Sequence, residues 1–443
     1  MKLGLLAAVA ACLVLLGGCV PLESNVENLL QPPKLTDLQS QVDAALREAV
    51  GQDFRLKYPK SGPYRSAFNF IDLDGNGSDE AIAFYSLGED NIQIALLAER
   101  TPGEWMVTDL VPGLGFCTEV DFVTMAQIGG SRQLLVGWGG TGLDNNLLAV
   151  YDYSKGTPQD WEQQVRWEYS QLMVTDLDKN QQNELLLLVA PDSLTESPPV
   201  AQLVGQGQDG VIDLLDEVEL PRNITSYRAL TVGGIGNGLY GAAADCVLNN
   251  GNLCTLTLAY DGQRLSLPLN NLLDTNLFRQ TVRNQQVLSC DLNGDGMVEI
   301  PVERLASGYG TNGSDAVWLI DYCNQQDRQL VPVQTAYVNM SRGFRFLFPN
   351  RWADQPISVL VQPNHSEVVV FLNTTGNLYD HSQDLIRFQI ASTLDGEPVM
   401  DGSRYFQLGS KGTYLYRAAL PTQMVAELAL TQEEVYSLFS LIS

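Results

Sequence analysis

Three short acidic loops constrain this chain more than any other feature. They read Asp72-Leu73-Asp74-Gly75-Asn76-Gly77-Ser78-Asp79-Glu80, Asp176-Leu177-Asp178-Lys179-Asn180-Gln181-Gln182-Asn183-Glu184 and Asp291-Leu292-Asn293-Gly294-Asp295-Gly296-Met297-Val298-Glu299. Each sets oxygen-bearing side chains at positions 1, 3 and 5 and a Glu at position 9. A hard cation such as calcium requires several oxygens converging at short range, with carboxylates supplying the charge. The candidate ligands are Asp72, Asp74, Asn76, Ser78 and Glu80 in the first loop. They are Asp176, Asp178, Asn180, Gln182 and Glu184 in the second, and Asp291, Asn293, Asp295, Met297 and Glu299 in the third. Position 7 contributes through its main-chain carbonyl, so Met297 is no obstacle there. A single loop of this composition equally suits a metal-free Asp/Asn/Gly turn; three copies at related spacing point to two or three calcium sites.

The flanks decide what carries the loops. An EF-hand closes with Glu at position 12 between two helices. Here the Glu falls at position 9, between apolar runs of strand character, Ala67–Ile71 before the first loop and Ala81–Tyr85 after it. That favours strand–loop–strand. The pattern resembles the FG-GAP, or VCBS-like, repeats of integrin-α-type β-propellers, and the resemblance implies calcium held in such loops. Glycines at positions 4 and 6 of the first and third loops allow the positive φ of a tight ligand turn. The second loop has Lys179 and Gln181 there, and the lysine adds a repelling charge, so the sequence ranks it the weakest site.

The loops start roughly a hundred residues apart, about twice the length of a four-stranded propeller blade. A degenerate unit therefore belongs in each gap. Phe122–Met125 leads to Gly129-Gly130, and Leu230–Gly233 leads to Gly236-Asn237-Gly238. Both keep the glycines without the carboxylates, so both are expected to turn without metal. Recurrent apolar runs such as Leu147–Tyr153 and Ala316–Tyr322 supply further strands. The expected fold is mostly β: a β-propeller of about five blades over 52–335, or six if Phe54–Tyr58 belongs to a further sheet. A short helix at 35–51, capped by Thr36 or Asp37, precedes it. A small α+β domain at 336–443 follows, with a hairpin at Ile357–Val361 and Glu367–Leu372 and a last helix, Val435–Ile442, capped from Thr431. Its Gly343-Phe344 and Trp352 opening resembles PsbP-like domains, which implies partner binding.

The chain begins with one basic residue, Lys2, and an uncharged apolar run from Leu3 to Leu16, too short to span a bilayer comfortably. The run ends Leu16-Gly17-Gly18-Cys19, which is similar to a bacterial lipoprotein signal. That resemblance implies a signal peptide at 1–18, lipidation of Cys19 and a tether at 19–34; an ordinary secretory peptide or an uncleaved anchor is the alternative. Two acyl chains on Cys19 would hold the protein to the membrane, on its extracytoplasmic face.

Lys and Arg total 26 against 52 Asp and Glu, a formal charge of −26. This argues against nucleic acid and against adhesion to anionic lipid, and suits divalent cations. Cys117, Cys246, Cys254, Cys290 and Cys323 lie beyond the leader without zinc-like spacing. Cys246 and Cys254 flank the turn Asn249–Asn252 and either form a disulfide or remain small buried thiols. The only histidines are His365 and His381, so the propeller region has no base for a Ser-His-Asp arrangement. No phosphate-binding glycine loop opens a helix. The sequence reading is a non-enzymatic, lipid-anchored binding or scaffold module with an extracellular protein or glycan ligand. The alternative is a carbohydrate-active hydrolase or lyase whose two acids hide among the carboxylates.

Overall fold

The computed structural model describes residues 35–88, 91–152, 166–192, 195–207, 209–270, 276–310, 316–362, 366–380, 383–392, 405–422 and 425–442. Signal segment, Cys19, tether and both histidines lie outside the described residues.

Helix α1, Asp37–Val50, begins at the expected place. Thr36 accepts from the Gln39 N–H while the Gln39 side chain accepts from Thr36, a reciprocal capping box, and Gly51 ends the helix at φ 92°. This arrangement satisfies amides that the first turn leaves without partners.

The rest is a succession of antiparallel sheets, and the fold is mostly β. The first sheet holds β1 (Arg55–Lys57), β2 (Phe68–Ile71), β3 (Glu80–Ser86), β4 (Ile92–Thr101) and β5 (Glu104–Pro112), with β1 and β2 both paired to β3. The second is the meander β6 (Glu119–Ile128), β7 (Ser131–Gly139), β8 (Asn146–Asp152) and β9 (Arg166–Tyr169). The third is β10 (Gln171–Thr175), β11 (Glu184–Val189), β12 (Val200–Gln206) and β13 (Ile212–Glu219). The fourth is β14 (Ile224–Gly236), β15 (Leu239–Leu248), β16 (Leu253–Tyr260) and the short β17 (Leu265–Ser266). Helix α2, Asn276–Gln280, lies in the link to the fifth sheet, β18 (Ile300–Leu305), β19 (Trp318–Gln326), β20 (Gln329–Asn339) and β21 (Phe344–Leu347). A sixth sheet comprises β22 (Ile357–Val361), β23 (Glu367–Leu372), β24 (Asp384–Ser392), β25 (Phe406–Lys411) and β26 (Tyr414–Ala419), with β26 between β24 and β25.

Alternation along each strand feeds two cores, one on each face, because successive side chains point to opposite sides. On β3, Ile82 and Phe84 pack with Val123, Val136 and Trp138 of the second sheet. Ala81, Ala83 and Tyr85 on the same strand face Val42 and Leu46 of α1. The next apolar clusters join the second sheet to the third, the third to the fourth, and the fifth to the sixth, while Leu269 and Leu277 of the link after β17 pack with Ile300 and Leu330 of the fifth sheet. The helix thus covers the face of the first sheet that a closing blade would need. Among the described residues, no apolar cluster joins the first sheet to the fifth or sixth.

The C-terminal region differs from expectation in its boundaries. Strand β20 runs straight through position 335/336, because Ala336, Tyr337 and Val338 are core residues that a domain boundary would expose. Phe344 and Phe346 of β21 pack against Val370, Ile386 and Phe388 of the sixth sheet. The expected last helix is shorter: α3 spans Gln432–Leu438, with the Thr431/Glu434 capping box present. The chain then becomes β27, Phe439–Leu441, which pairs with β21. Phe439 stacks on Phe344 at 5.5 Å, and this aromatic burial outweighs helix continuation. The expected hairpin of β22 and β23 is present in register Val359↔Val370.

The degenerate units do turn. Gly129 and Gly130 (φ 63° and 81°) join β6 to β7, and Gly236-Asn237-Gly238 joins β14 to β15. Cys246 and Cys254 face each other across the β15–β16 hairpin as free, buried thiols.

Candidate metal centre

The first and second loops each join two hydrogen-bonded antiparallel strands, β2 to β3 and β10 to β11, and the third leads into β18. All three share one hydrogen-bond frame. The N–H of position 6 donates to the side chain of position 1: Gly77 to Asp72 Oδ2 (3.3 Å), Gln181 to Asp176 Oδ2 (2.8 Å), Gly296 to Asp291 Oδ2 (2.9 Å). The N–H of position 5 donates to position 3, as Asn76 to Asp74 Oδ1 (3.0 Å), Asn180 to Asp178 Oδ1 (3.1 Å) and Asp295 to Asn293 Oδ1 (2.9 Å). Position 7 donates to position 5 at 2.7 Å in every loop, from Ser78, Gln182 and Met297. These bonds turn the side chains at positions 1, 3 and 5 inward. Position 7 takes part through its main chain, whatever side chain it carries.

Position 9 closes each loop. Glu80, Glu184 and Glu299 accept through Oε2 from the N–H of Leu73, Leu177 and Leu292, at 2.8, 2.9 and 2.8 Å. The leucine at position 2 anchors the turn, Leu73 and Leu177 being fully buried and Leu292 partly so. All three glutamates are buried. Burial pushes their carboxyls above the usual range, and the neighbouring Asp pair of each loop pushes further. Glu184 is raised to about 7. The donated N–H acts in the opposite sense but does not cancel burial. Glu299 Oε1 and Asp72 Oδ1 are buried and find no hydrogen-bond donor among the described residues.

Two trios, Asp72/Asp74/Glu80 and Asp176/Asp178/Glu184, bring carboxylate oxygens within 4.8 Å of one another. Among the described residues the third loop forms no such trio. Asn293 replaces the carboxylate at position 3 and leaves its charge at position 5, on Asp295. The second loop keeps its shape without the glycines of the other two. Lys179 and Gln181 adopt φ 61° and 71°, the values glycine takes in the other loops, so the second loop keeps the frame. Its lysine does not face the carboxylates either; Nζ lies 4.4 Å from the centre of the Tyr240 ring. Among the described residues, the cation that pairs with a loop carboxylate belongs to the first, where Arg132 Nη1 is 3.4 Å from Asp72 Oδ2.

Each loop sits on a seam between sheets, which sequence reading missed. Arg132 comes from the second sheet to the loop of the first. Asn183 donates to Gln127 O of the second sheet from both its main chain (3.3 Å) and side chain (3.2 Å). In the third loop, Gly234 of β14 donates to Gly296 O and accepts from the Val298 N–H, both at 2.8 Å. The contact partners lie roughly fifty to sixty residues from their loops, so no local pattern announces them. A donor set of Asp, Asn and Glu oxygens, with no thiol or imidazole, fits a hard cation better than zinc.

No protein-family description matches the chain, and no curated protein matches it. Among solved structures, the chain is similar to a provisionally assigned 6-phosphogluconolactonase from Bacteroides uniformis, at 16% identity and TM-score 0.30. The likeness covers 75% of this chain and 97% of that one, and at that TM-score it carries no argument about activity.

Proposed function

We propose that the chain is a lipid-anchored, extracytoplasmic binding or scaffold module whose sheets are held together by calcium. The observation that carries this reading is the common hydrogen-bond frame of three acidic loops, each closed by a buried Glu and each placed on an inter-sheet seam. Calcium would be held by the side chains at positions 1, 3, 5 and 9 and the carbonyl at position 7. When bound it supplies positive charge to carboxylates that burial and mutual repulsion disfavour. The chain's own part is to preorganise those oxygens through main-chain N–H donors and leucine anchors.

The finer fold reading is a propeller-type arc of five blade-like sheets. Five successive antiparallel sheets support it: shared apolar clusters join the first four in turn, and Gly234 of the fourth sheet bonds through its main chain to Gly296 and Val298 of the loop leading into the fifth. Helix α1 takes the position of the missing neighbour on the first. Anchoring rests on Leu16-Gly17-Gly18-Cys19, and the ligand is an extracellular protein or a glycan, with nucleic acid disfavoured by the charge of −26.

Titration of the chelator-treated protein with calcium by calorimetry is the direct test. Uptake of two or three ions, reduced by Asp176→Ala, is expected; a protein that takes up none refutes the calcium reading. Fatty-acid labelling that vanishes in Cys19→Ala tests the anchor, and an unlabelled parent protein refutes it.

A further inference from the structure

This inference rests on the calcium reading and concerns what sets the order of the sites. We propose that Arg132 is a resident counter-cation of the first loop, which a divalent ion must displace, and that Tyr240 withholds Lys179 from the same part at the second.

Arg132 follows the Gly129-Gly130 turn at the start of β7, and that turn aims it at the neighbouring sheet's loop. Its guanidinium reaches Asp72 Oδ2, the oxygen that also accepts from Gly77. Asp72 Oδ1 is buried without a donor among the described residues. One oxygen of the carboxylate is thus shared with a protein cation, and the other is left for an ion. The Arg132 side chain is 43% exposed, so it can swing into water when an ion arrives. An exposed pair of this kind is weak on its own. A doubly charged ion beside a retained guanidinium is a stronger repulsion, because the Coulomb energy scales with the product of charges.

The second loop is built the other way. Asp176 accepts from main-chain amides on both oxygens, Asn180 N at 2.9 Å and Gln181 N at 2.8 Å, and no arginine reaches it among the described residues. Lys179 lies within the loop itself, yet its ammonium rests on the ring of Tyr240, a residue of β15 in the adjacent sheet. A cation held over an aromatic face is attracted by the ring's quadrupole. Tyr240 acts as a positioning residue: it keeps a neighbouring charge off the ligands without touching them. The second site should accordingly fill before the first, the reverse of the order that glycine content suggests.

Calorimetric titration of the full chain, freed of calcium by chelator, separates the two arms. Asp72→Ala and Asp176→Ala identify which binding step belongs to which loop. Arg132→Gln should tighten the Asp72-dependent step about five- to tenfold, the size of the contact-range pair of unit charges in water that the ion has to displace. It should leave the Asp176-dependent step unchanged. Arg132→Lys, which keeps the charge, should stay within about twofold of the parent at both steps, a pattern that loss of folding would not produce. Tyr240→Leu should weaken the Asp176-dependent step about threefold, and Lys179→Gln in that background should restore it. An unaltered Asp72-dependent step in Arg132→Gln overturns the competitor role, and an unaltered Asp176-dependent step in Tyr240→Leu overturns the positioning role. A parent protein that takes up no calcium overturns the calcium reading instead, and is distinguishable because no step is seen at all.

Discussion

The sharpest stability prediction concerns the link between the fourth and fifth sheets. Asp245 and Arg283 are fully buried and paired, Nη2 to Oδ1 at 2.7 Å. Asp245 also accepts from Thr255 Oγ1 (2.7 Å), Ser289 N (2.7 Å) and Ser289 Oγ (2.9 Å). Arg283 donates further to Val287 O (2.7 Å), Thr281 O (3.0 Å) and Thr255 Oγ1 (3.0 Å). Replacing Arg283 by Leu leaves a buried carboxylate without its counter-charge and two carbonyls without a donor. Breaking a buried pair in this way costs about 3–5 kcal/mol. Replacing both members, Asp245→Leu with Arg283→Leu, removes the charge together with its partner. The cost then falls to about 1–3 kcal/mol, mainly for the amide of Ser289 and the carbonyls left bare. Urea unfolding followed by tryptophan fluorescence measures both, and the quantity of interest is their difference. The reasoning fails if Arg283→Leu is no more destabilising than the double variant, because the pair would then carry no uncompensated charge. Since residues 281–289 run directly into the third loop, Arg283→Leu should also broaden calcium binding there.

Other outcomes follow from the same geometry. Saturating calcium should raise the thermal midpoint and chelator should lower it; one site at a hundredfold excess over its Kd contributes about 2.7 kcal/mol. Gly236→Ala should destabilise by about 2–4 kcal/mol in thermal unfolding, because φ is 96° and a Cβ would stand 2.2 Å from Gln325 O. Phe344→Ala should cost about 3–5 kcal/mol and loosen the fifth and sixth sheets together, seen as joint loss of amide protection. Burial pushes the Cys323 thiol up to about 12 and that of Cys246 well above its ordinary value. With both folded thiols protonated at pH 8, alkylation there should await unfolding; rapid labelling of the native protein would contradict this.

How much of this could be read from the chain depends on how local the cause is. Strand alternation, the capping residues of α1 and α3, the loop positions and the glycine turns at Gly129 and Gly236 are short-range patterns, and each appears where the residues place it. For the second loop, glycine content reports only the ease of a positive φ. It is silent on where a side chain such as Lys179 finds an aromatic ring belonging to another sheet. Arg132 and the Asp245–Arg283 network were missed for the same reason, since their partners are 60 and 38 residues away. The role of α1 was invisible because its apolar stripe fits any apolar face. What it covers, the outer side of β3, follows only from the sheets' order in space.

Strand β27 has a consequence for how the protein is made. The early sheets pair segments that follow one another closely, so each can form soon after its own stretch is synthesised. Phe344 waits for Leu441, and Phe346 for Phe439. The outer edge of the fifth sheet therefore stays bare until residues 439–441 arrive, and during that interval a chaperone would find an unfinished ribbon to hold.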